Sequence, residues 1–140
     1  MIRETKKVLE ECKRINEELS CFTTICGEEA LKQAETAKGP LKGLFVSIKD
    51  CLCVKGVESA AGSRILKGYK PLFDAAAVRK LKEAGAIIIG KTAQDEFGFG
   101  SFNTNVGLDF PVPKNPLDKE RVTGGSSGGG AAAVAADLCG

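Results

Sequence analysis

Asp74-Ala-Ala-Ala-Val-Arg-Lys-Leu-Lys-Glu-Ala-Gly-Ala-Ile-Ile-Ile-Gly90 decides the fold. Its first part, Asp74 to Ala84, reads as a helix with Asp74 as N-cap and Gly85 just past the end. Its second part, Ala86 to Gly90, is an apolar, β-branched run of the kind a sheet buries on both faces. Leu44-Phe-Val-Ser-Ile48 upstream reads the same way. Strand, helix and strand in this order form the pattern of a βαβ crossover, so the expected class is α/β.

Toward the N-terminus, Ile2 to Leu19 is an amphipathic helix. Val8, Leu9, Cys12, Ile15 and Leu19 recur at helical spacing between Lys, Arg and Glu. Cys21 to Cys26 is a short β-rich run ended by Gly27, and Glu28 to Lys38 is a second helix stopped by Gly39-Pro40. Between the two strands, Cys51 to Lys70 carries Gly56, Gly62 and Gly68 and reads as a long irregular connection, a class of segment that is often functional. After the second strand, Asp95 to Asn105 interleaves Phe97, Phe99 and Phe102 with Gly98 and Gly100, which fits a pocket lining or core-filling side chains equally. Val106 to Thr123 holds three prolines and no periodicity.

The chain has 140 residues, room for one domain of ordinary size. Its 20 basic and 18 acidic residues are well mixed, so no basic patch argues for direct nucleic-acid binding. No apolar run approaches a membrane span, and Met1-Ile-Arg-Glu-Thr-Lys-Lys lacks the apolar segment of a signal peptide. The expected setting is cytoplasmic, with no membrane partner. Cys12, Cys21, Cys26, Cys51, Cys53 and Cys139 include no C-x-x-C pair, and no histidine is present to complete a mixed zinc site. No metal site is expected, and the cysteines read as small buried hydrophobes. A redox or metal pair at Cys51 and Cys53 has the wrong spacing for the common sites.

The chemistry concentrates in Val122-Thr-Gly-Gly-Ser-Ser-Gly-Gly-Gly-Ala-Ala-Ala-Val134, a Gly/Ser loop running into an alanine-rich helix from Ala131 to Ala136. A helix start after such a loop points N–H groups and a positive dipole end into it, around one small space with the hydroxyls. A Walker loop fails because Ala131, not Lys, follows Gly130. A dinucleotide fingerprint on Gly128, Gly130 and Ala133 lacks the strand it should open from. A nucleophile elbow matches Gly125, Ser127 and Gly129, yet its usual triad needs a histidine, and this chain has none. A reacting serine here needs another base, most plausibly a lysine.

Lys49 stands at the carboxyl end of Leu44–Ile48, where open α/β sheets build their sites. A lysine leaving an apolar strand loses hydration if it stays charged, which favours the neutral amine; the competing reading is a lysine that snorkels to solvent. Lys91 also follows a strand, and its replacement by arginine is expected to be nearly silent.

Val46-Ser-Ile-Lys-Asp50, Asp74-Ala-Ala-Ala-Val78, Lys80-Leu-Lys-Glu-Ala-Gly85, Gly90-Lys-Thr-Ala-Gln-Asp-Glu-Phe97 and Gly124-Gly-Ser-Ser-Gly-Gly129 together resemble the amidase signature family. Ala131 to Cys139 is similar to the archaeal A-subunit branch, which serves tRNA-dependent amidotransferases for Glu-tRNA(Gln) and Asp-tRNA(Asn). The resemblance covers nearly the whole chain beyond Gly39. It implies a mixed sheet covered by helices, of which residues 1–140 form the N-terminal part, a single partial amidase domain. It implies a Ser–cis-Ser–Lys triad with Lys49 as base and Ser126 as bridging serine in a cis peptide. That shifts the catalytic assignment from Ser127 to Ser126. Gly98, Phe99, Gly100, Gly124, Gly125 and Ser127 are the implied contacts for the amide substrate.

The family's nucleophilic serine lies in an Asp-x-Gly-Gly-Ser segment, which these 140 residues do not contain. Gly130 also stands where many members have serine. The implied activity is glutamine hydrolysis through an acyl-enzyme, with ammonia passed to a partner. The implied partners are B and C subunits, with tRNA reached only through the complex. ATP and Mg²⁺ belong to the partner, and no cofactor is implied in this chain. The alternatives are a general small-amide amidase and a non-catalytic fragment.

Overall fold

The computed structural model describes residues 1–140. Helix α1 (Ile2–Leu19) leads into strand β1 (Phe22–Ile25), then α2 (Gly27–Thr36), β2 (Phe45–Lys49), α3 (Ala76–Glu83), β3 (Ile87–Thr92) and α4 (Gly128–Ala135). The strands form one mixed sheet in the order β1-β3-β2, with β3 parallel to β2 and antiparallel to β1. The α/β class and the mixed sheet therefore stand as expected. No helix is long and apolar enough to cross a membrane.

Helix α1 has the boundaries that its apolar spacing predicts, and Leu9, Cys12 and Leu19 are buried on one face. Asn16 on that helix fixes the start of β1: its Oδ1 accepts the Phe22 N–H at 2.7 Å, and its Nδ2 donates to the Phe22 carbonyl at 3.1 Å. Helix α3 starts later than read from the sequence. Asp74 does not cap it; its carboxylate accepts the Lys55 N–H at 2.8 Å and pairs with the Lys82 ammonium, tying the irregular connection to the helix. Strand β2 is at the sheet edge and only half-buried along Phe45, Val46 and Ser47, so the doubly buried reading holds for β3 and not for β2.

All six residues of β3 are buried, and its register carries an irregularity that matters for the site. Val46 and Ser47 are consecutive in β2, yet they pair with Ile88 and Gly90, so β3 has one extra residue, Ile89. Such a bulge shifts the alternation of faces by one. Ile87 and Ile89 pack into the larger core with α1, α2 and α4, while Ile88 joins Ile48, Val54 and Val78 on the opposite face. After the bulge, Gly90 lies against Phe22 of the larger core. Lys91 comes level with Ile48 and Thr92 with Lys49. A Cβ on Gly90 would stand 2.6 Å from the Phe22 ring and 2.7 Å from the Thr24 carbonyl oxygen.

The cysteines divide. Cys12, Cys21 and Cys26 are buried as expected, Cys53 and Cys139 are half-buried, and Cys51 is exposed, which corrects the uniform reading. Burial pushes the Cys12 thiol up to about 12 and those of Cys21 and Cys26 to about 11.

Two outcomes are expected in the whole protein. Gly90→Ala should cost about 1–3 kcal/mol in urea unfolding, the range for overpacking a close-packed interior. A disulfide reagent at pH 8 should modify Cys51 first and reach Cys12, Cys21 and Cys26 only on unfolding, because the reacting species is the thiolate and burial holds these three as thiols.

Candidate active site

The Gly/Ser loop folds back over the carboxyl ends of β2 and β3. Its Gly125–Ser126 peptide bond is cis. The Ser126 carbonyl accepts the Asp95 N–H at 3.1 Å, which fixes the loop to the residues following β3. Lys49, the last residue of β2, reaches across from the strand end, and its Nζ lies 2.8 Å from Ser126 Oγ. Both residues are half-buried, so the pair is open on one side. The structure thus brings together the two residues assigned as base and bridging serine. Ser127 is exposed and forms the cap position of α4, away from the Lys49 contact.

Helix α4 begins within the glycines, at Gly128, three residues before the alanine run that predicted it. Two of its first N–H groups are engaged by the protein. Gly128 donates to Asn103 Oδ1 at 2.7 Å and Gly129 donates to the Ala93 carbonyl at 3.1 Å. The expectation that this helix start offers its donors to a ligand is therefore narrowed: the protein itself takes those of Gly128 and Gly129. Gly129 is needed for that close approach, since a Cβ there would stand 2.5 Å from both the Ala93 nitrogen and the Cys21 carbonyl oxygen.

Asp95, 1% exposed, is the hub that the sequence reading missed. Its carboxylate accepts the Asn103 N–H at 3.1 Å and the Asn105 N–H at 3.0 Å. Side chains at Gly100 or Gly125 would collide with that carboxylate. One buried carboxylate thus holds the aromatic loop and the Gly/Ser loop side by side, and Asn103 extends the link to α4. The available signal was the polar run Gln94-Asp-Glu96 placed one residue after a fully buried strand.

Of the implied substrate contacts, Gly124 is half-buried and Gly125 exposed on the same loop as Ser126. Gly98, Phe99 and Gly100 lie on the neighbouring loop, with Phe99 held through its carbonyl by Asn105 Nδ2 at 2.7 Å. Phe97, Phe99 and Phe102 are 45%, 79% and 61% exposed, so none fills the core. The roomiest cleft, about 430 Å³, lies elsewhere, between the start of α2 and residues 55–58. It is lined by charges of both signs and includes neither Lys49 nor Ser126, so volume alone does not find the chemistry here.

Lys91 departs most from expectation. It is fully buried, and its ammonium lies 3.3 Å from Asp50 Oδ1 and 2.8 Å from Ser59 Oγ. Burial lowers its proton affinity, and the Asp50 carboxylate opposes that shift. At a fully buried site an arginine would have to displace these neighbours, so Lys91→Arg is expected to be disruptive rather than silent.

Asp95→Ala should lower stability by at least about 1–3 kcal/mol, because the buried Asn103 N–H loses its acceptor. Lys67→Ala breaks only an exposed pair with Asp109 and should leave the melt essentially unchanged. Urea melts of the two variants side by side check the contrast.

The chain and its fold resemble known proteins. The family model described as Amidase matches residues 3–140. The chloroplastic/mitochondrial glutamyl-tRNA(Gln) amidotransferase A subunit of Zea mays is 47% identical over 96% of the chain and 26% of its own length. The crystal structure of the glutamyl-tRNA(Gln) amidotransferase A subunit from Thermotoga maritima superposes with a TM-score of 0.83, at 39% identity over 96% of this chain and 28% of that one. A 6-aminohexanoate cyclic dimer hydrolase superposes with a TM-score of 0.91, at 29% identity over 96% of this chain and 28% of that one. The chain therefore spans about a quarter of the length of the relatives it matches. With the family model covering all but its first two residues, the chain belongs to the amidase family.

Proposed function

We propose that this chain carries the base and the bridging serine of a glutamine-hydrolysing amidase, the A subunit of a tRNA-dependent amidotransferase. The observation that carries the reading is the 2.8 Å contact from Lys49 Nζ to Ser126 Oγ. A neutral lysine amine is an acceptor, and a hydroxyl can donate to it while accepting from another hydroxyl. In this scheme the nucleophilic serine, carried on an Asp-x-Gly-Gly-Ser segment, passes its proton to Ser126 as it attacks the amide carbonyl. Ser126 hands its own proton to Lys49. The proton returns along the same path to the departing nitrogen, which leaves as ammonia, and water then releases glutamate from the acyl-enzyme by the same relay. Gly124, Gly125, Ser127, Gly98, Phe99 and Gly100 border the space where the amide would sit.

The amidotransferase reading is supported by the 47% identity to the Zea mays A subunit and by the Thermotoga maritima structure. In it, B and C subunits receive the ammonia, ATP and Mg²⁺ are held by the partner, and tRNA contacts the complex, in the cytoplasm. A second reading is a small-amide hydrolase with no partner. The close superposition on the 6-aminohexanoate cyclic dimer hydrolase favours it, because that enzyme has the same framework.

Ammonia release from glutamine by the whole protein tests the reading. Lys49→Ala and Lys49→Arg should both lose about 10²–10⁴-fold in kcat, the usual contribution of general acid–base catalysis. Arginine cannot give up its proton and so cannot rescue. If Lys49→Arg keeps substantial activity, Lys49 is only a positioning charge and the assignment fails. Turnover of small amides in preference to glutamine, unaffected by B and C subunits, would favour the second reading.

A further inference from the structure

We propose that Lys91 is a positioning residue for the amide-hydrolysing centre: its buried ammonium fixes the main chain immediately after Lys49 and so aims Lys49 at Ser126. The inference rests on the Lys49–Ser126 reading above and assigns a role to a residue outside that pair.

Lys91 and Lys49 lie on opposite faces of the sheet. Lys49 is level with Thr92, whose hydroxyl lies toward α4, where a Cβ on Gly130 would stand 3.6 Å from it. Lys91 is level with Ile48, on the face with Val54 and Val78. Its ammonium therefore does not meet the reacting groups. It donates instead to the Asp50 carbonyl at 3.2 Å, Asp50 Oδ1 at 3.3 Å, Ser59 Oγ at 2.8 Å and the Glu58 carbonyl at 3.5 Å. Asp50 is the residue after Lys49, and it is held from further sides. Its N–H donates to the Thr92 carbonyl at 3.2 Å, its carbonyl accepts the Ala61 N–H at 3.3 Å, and its Oδ2 accepts the Gly62 N–H at 3.1 Å.

The chemistry of the contact separates positioning from packing. An apolar side chain of similar size would fill the same space without the desolvation penalty of an ammonium. What a cation adds is attraction of one residue's carbonyl and carboxylate, together with the 58–59 turn, onto a single point. That constraint ends β2 at a fixed place, one residue beyond Lys49. A base at the end of a flexible four-carbon stem depends on such a constraint, because small errors in the placement of reacting groups are amplified in rate.

The test measures glutaminase kinetics per folded molecule of the whole protein, with the folded fraction taken from circular dichroism. Lys91→Met should lower kcat about 10–100-fold with KM nearly unchanged. Lys91→Met/Asp50→Asn removes both charges and keeps an oxygen for the Gly62 N–H, so it should recover stability while kcat stays low. A purely structural role predicts that kcat recovers with stability, and that result would overturn the proposal. So would an unchanged kcat in Lys91→Met. Should Lys91→Met not fold, Ser59→Ala removes one acceptor of the ammonium and should lower kcat several-fold at constant KM; no change there overturns the proposal too. Lys49→Ala in the same assay separates the two levels. If it is fully active, the parent reading falls and this one with it. If it is inactive while the Lys91 variants are active, only the present inference fails.

Discussion

A single extra residue in the central strand sets which side chains can meet. Strand β3 runs between both other strands with every residue buried, so its register is the register of the sheet. With strict alternation Lys91 would share a face with Ile87 and Ile89, among α1, α2 and α4. The insertion of Ile89 between the partners of Val46 and Ser47 turns Lys91 to the other side and brings Thr92 level with Lys49. The residue after the insertion is Gly90, placed where Phe22 of the antiparallel neighbour leaves no space for a side chain. Bulges of this kind commonly re-aim side chains next to sites. Here one bulge separates two lysines that the sequence sets equally at strand ends.

The Gly/Ser loop gains its shape from the same region. Residues 93–95 continue β3 and offer it, in turn, the Ala93 carbonyl for Gly129, and the Asp95 N–H for the Ser126 carbonyl. Asp95 then turns its carboxylate to Asn103 and Asn105, and Asn103 closes the circuit on Gly128. Each link needs close backbone approach, which explains why the loop is built from glycine more directly than flexibility does. It also removes two of the donors a phosphate cradle would use. A helix start binds an anion through its free N–H groups, and the N–H groups of Gly128 and Gly129 are already engaged.

Much of this was legible in the sequence, for identifiable reasons. Helix α1 and the core of β3 were readable because periodicity and β-branching report burial, which is what forms them. Lys49 and Ser126 were found through the family resemblance, while local pattern alone pointed to Ser127. The end of β3 was not readable. Lys91-Thr92, beyond the Gly90 end read from the sequence, lacks apolar character, and only tertiary burial extends the strand through it. The start of α4 was missed for the same reason, since glycine is a poor helix former and is helical here because Asn103 and Ala93 anchor its N–H groups. Asp74 looked like a helix cap because it precedes alanines, yet Lys55 and Lys82 compete for its carboxylate and win. Asp95 carried no signal beyond its place after a buried strand.

The two lysines show why residue type and position in a strand do not by themselves assign chemistry. A lysine serves as a base only if it spends time neutral, and its partner decides that. Lys49 faces a hydroxyl, which can accept from an ammonium or donate to an amine. Lys91 faces a carboxylate, two carbonyl oxygens and a hydroxyl, and the carboxylate and carbonyls can only accept. Burial favours loss of its proton and Asp50 favours retention, but a neutral amine there would have too few protons to satisfy its acceptors. The Ser59 hydroxyl donates to the Val57 carbonyl at 3.2 Å, so toward Lys91 it too accepts, and every contact Lys91 makes is one in which a donor is useful. In the proposed scheme the amine that receives a proton is the one on the open face beside Ser126. The amine that only gives hydrogen bonds is sealed on the other, where it holds Asp50, the residue after Lys49.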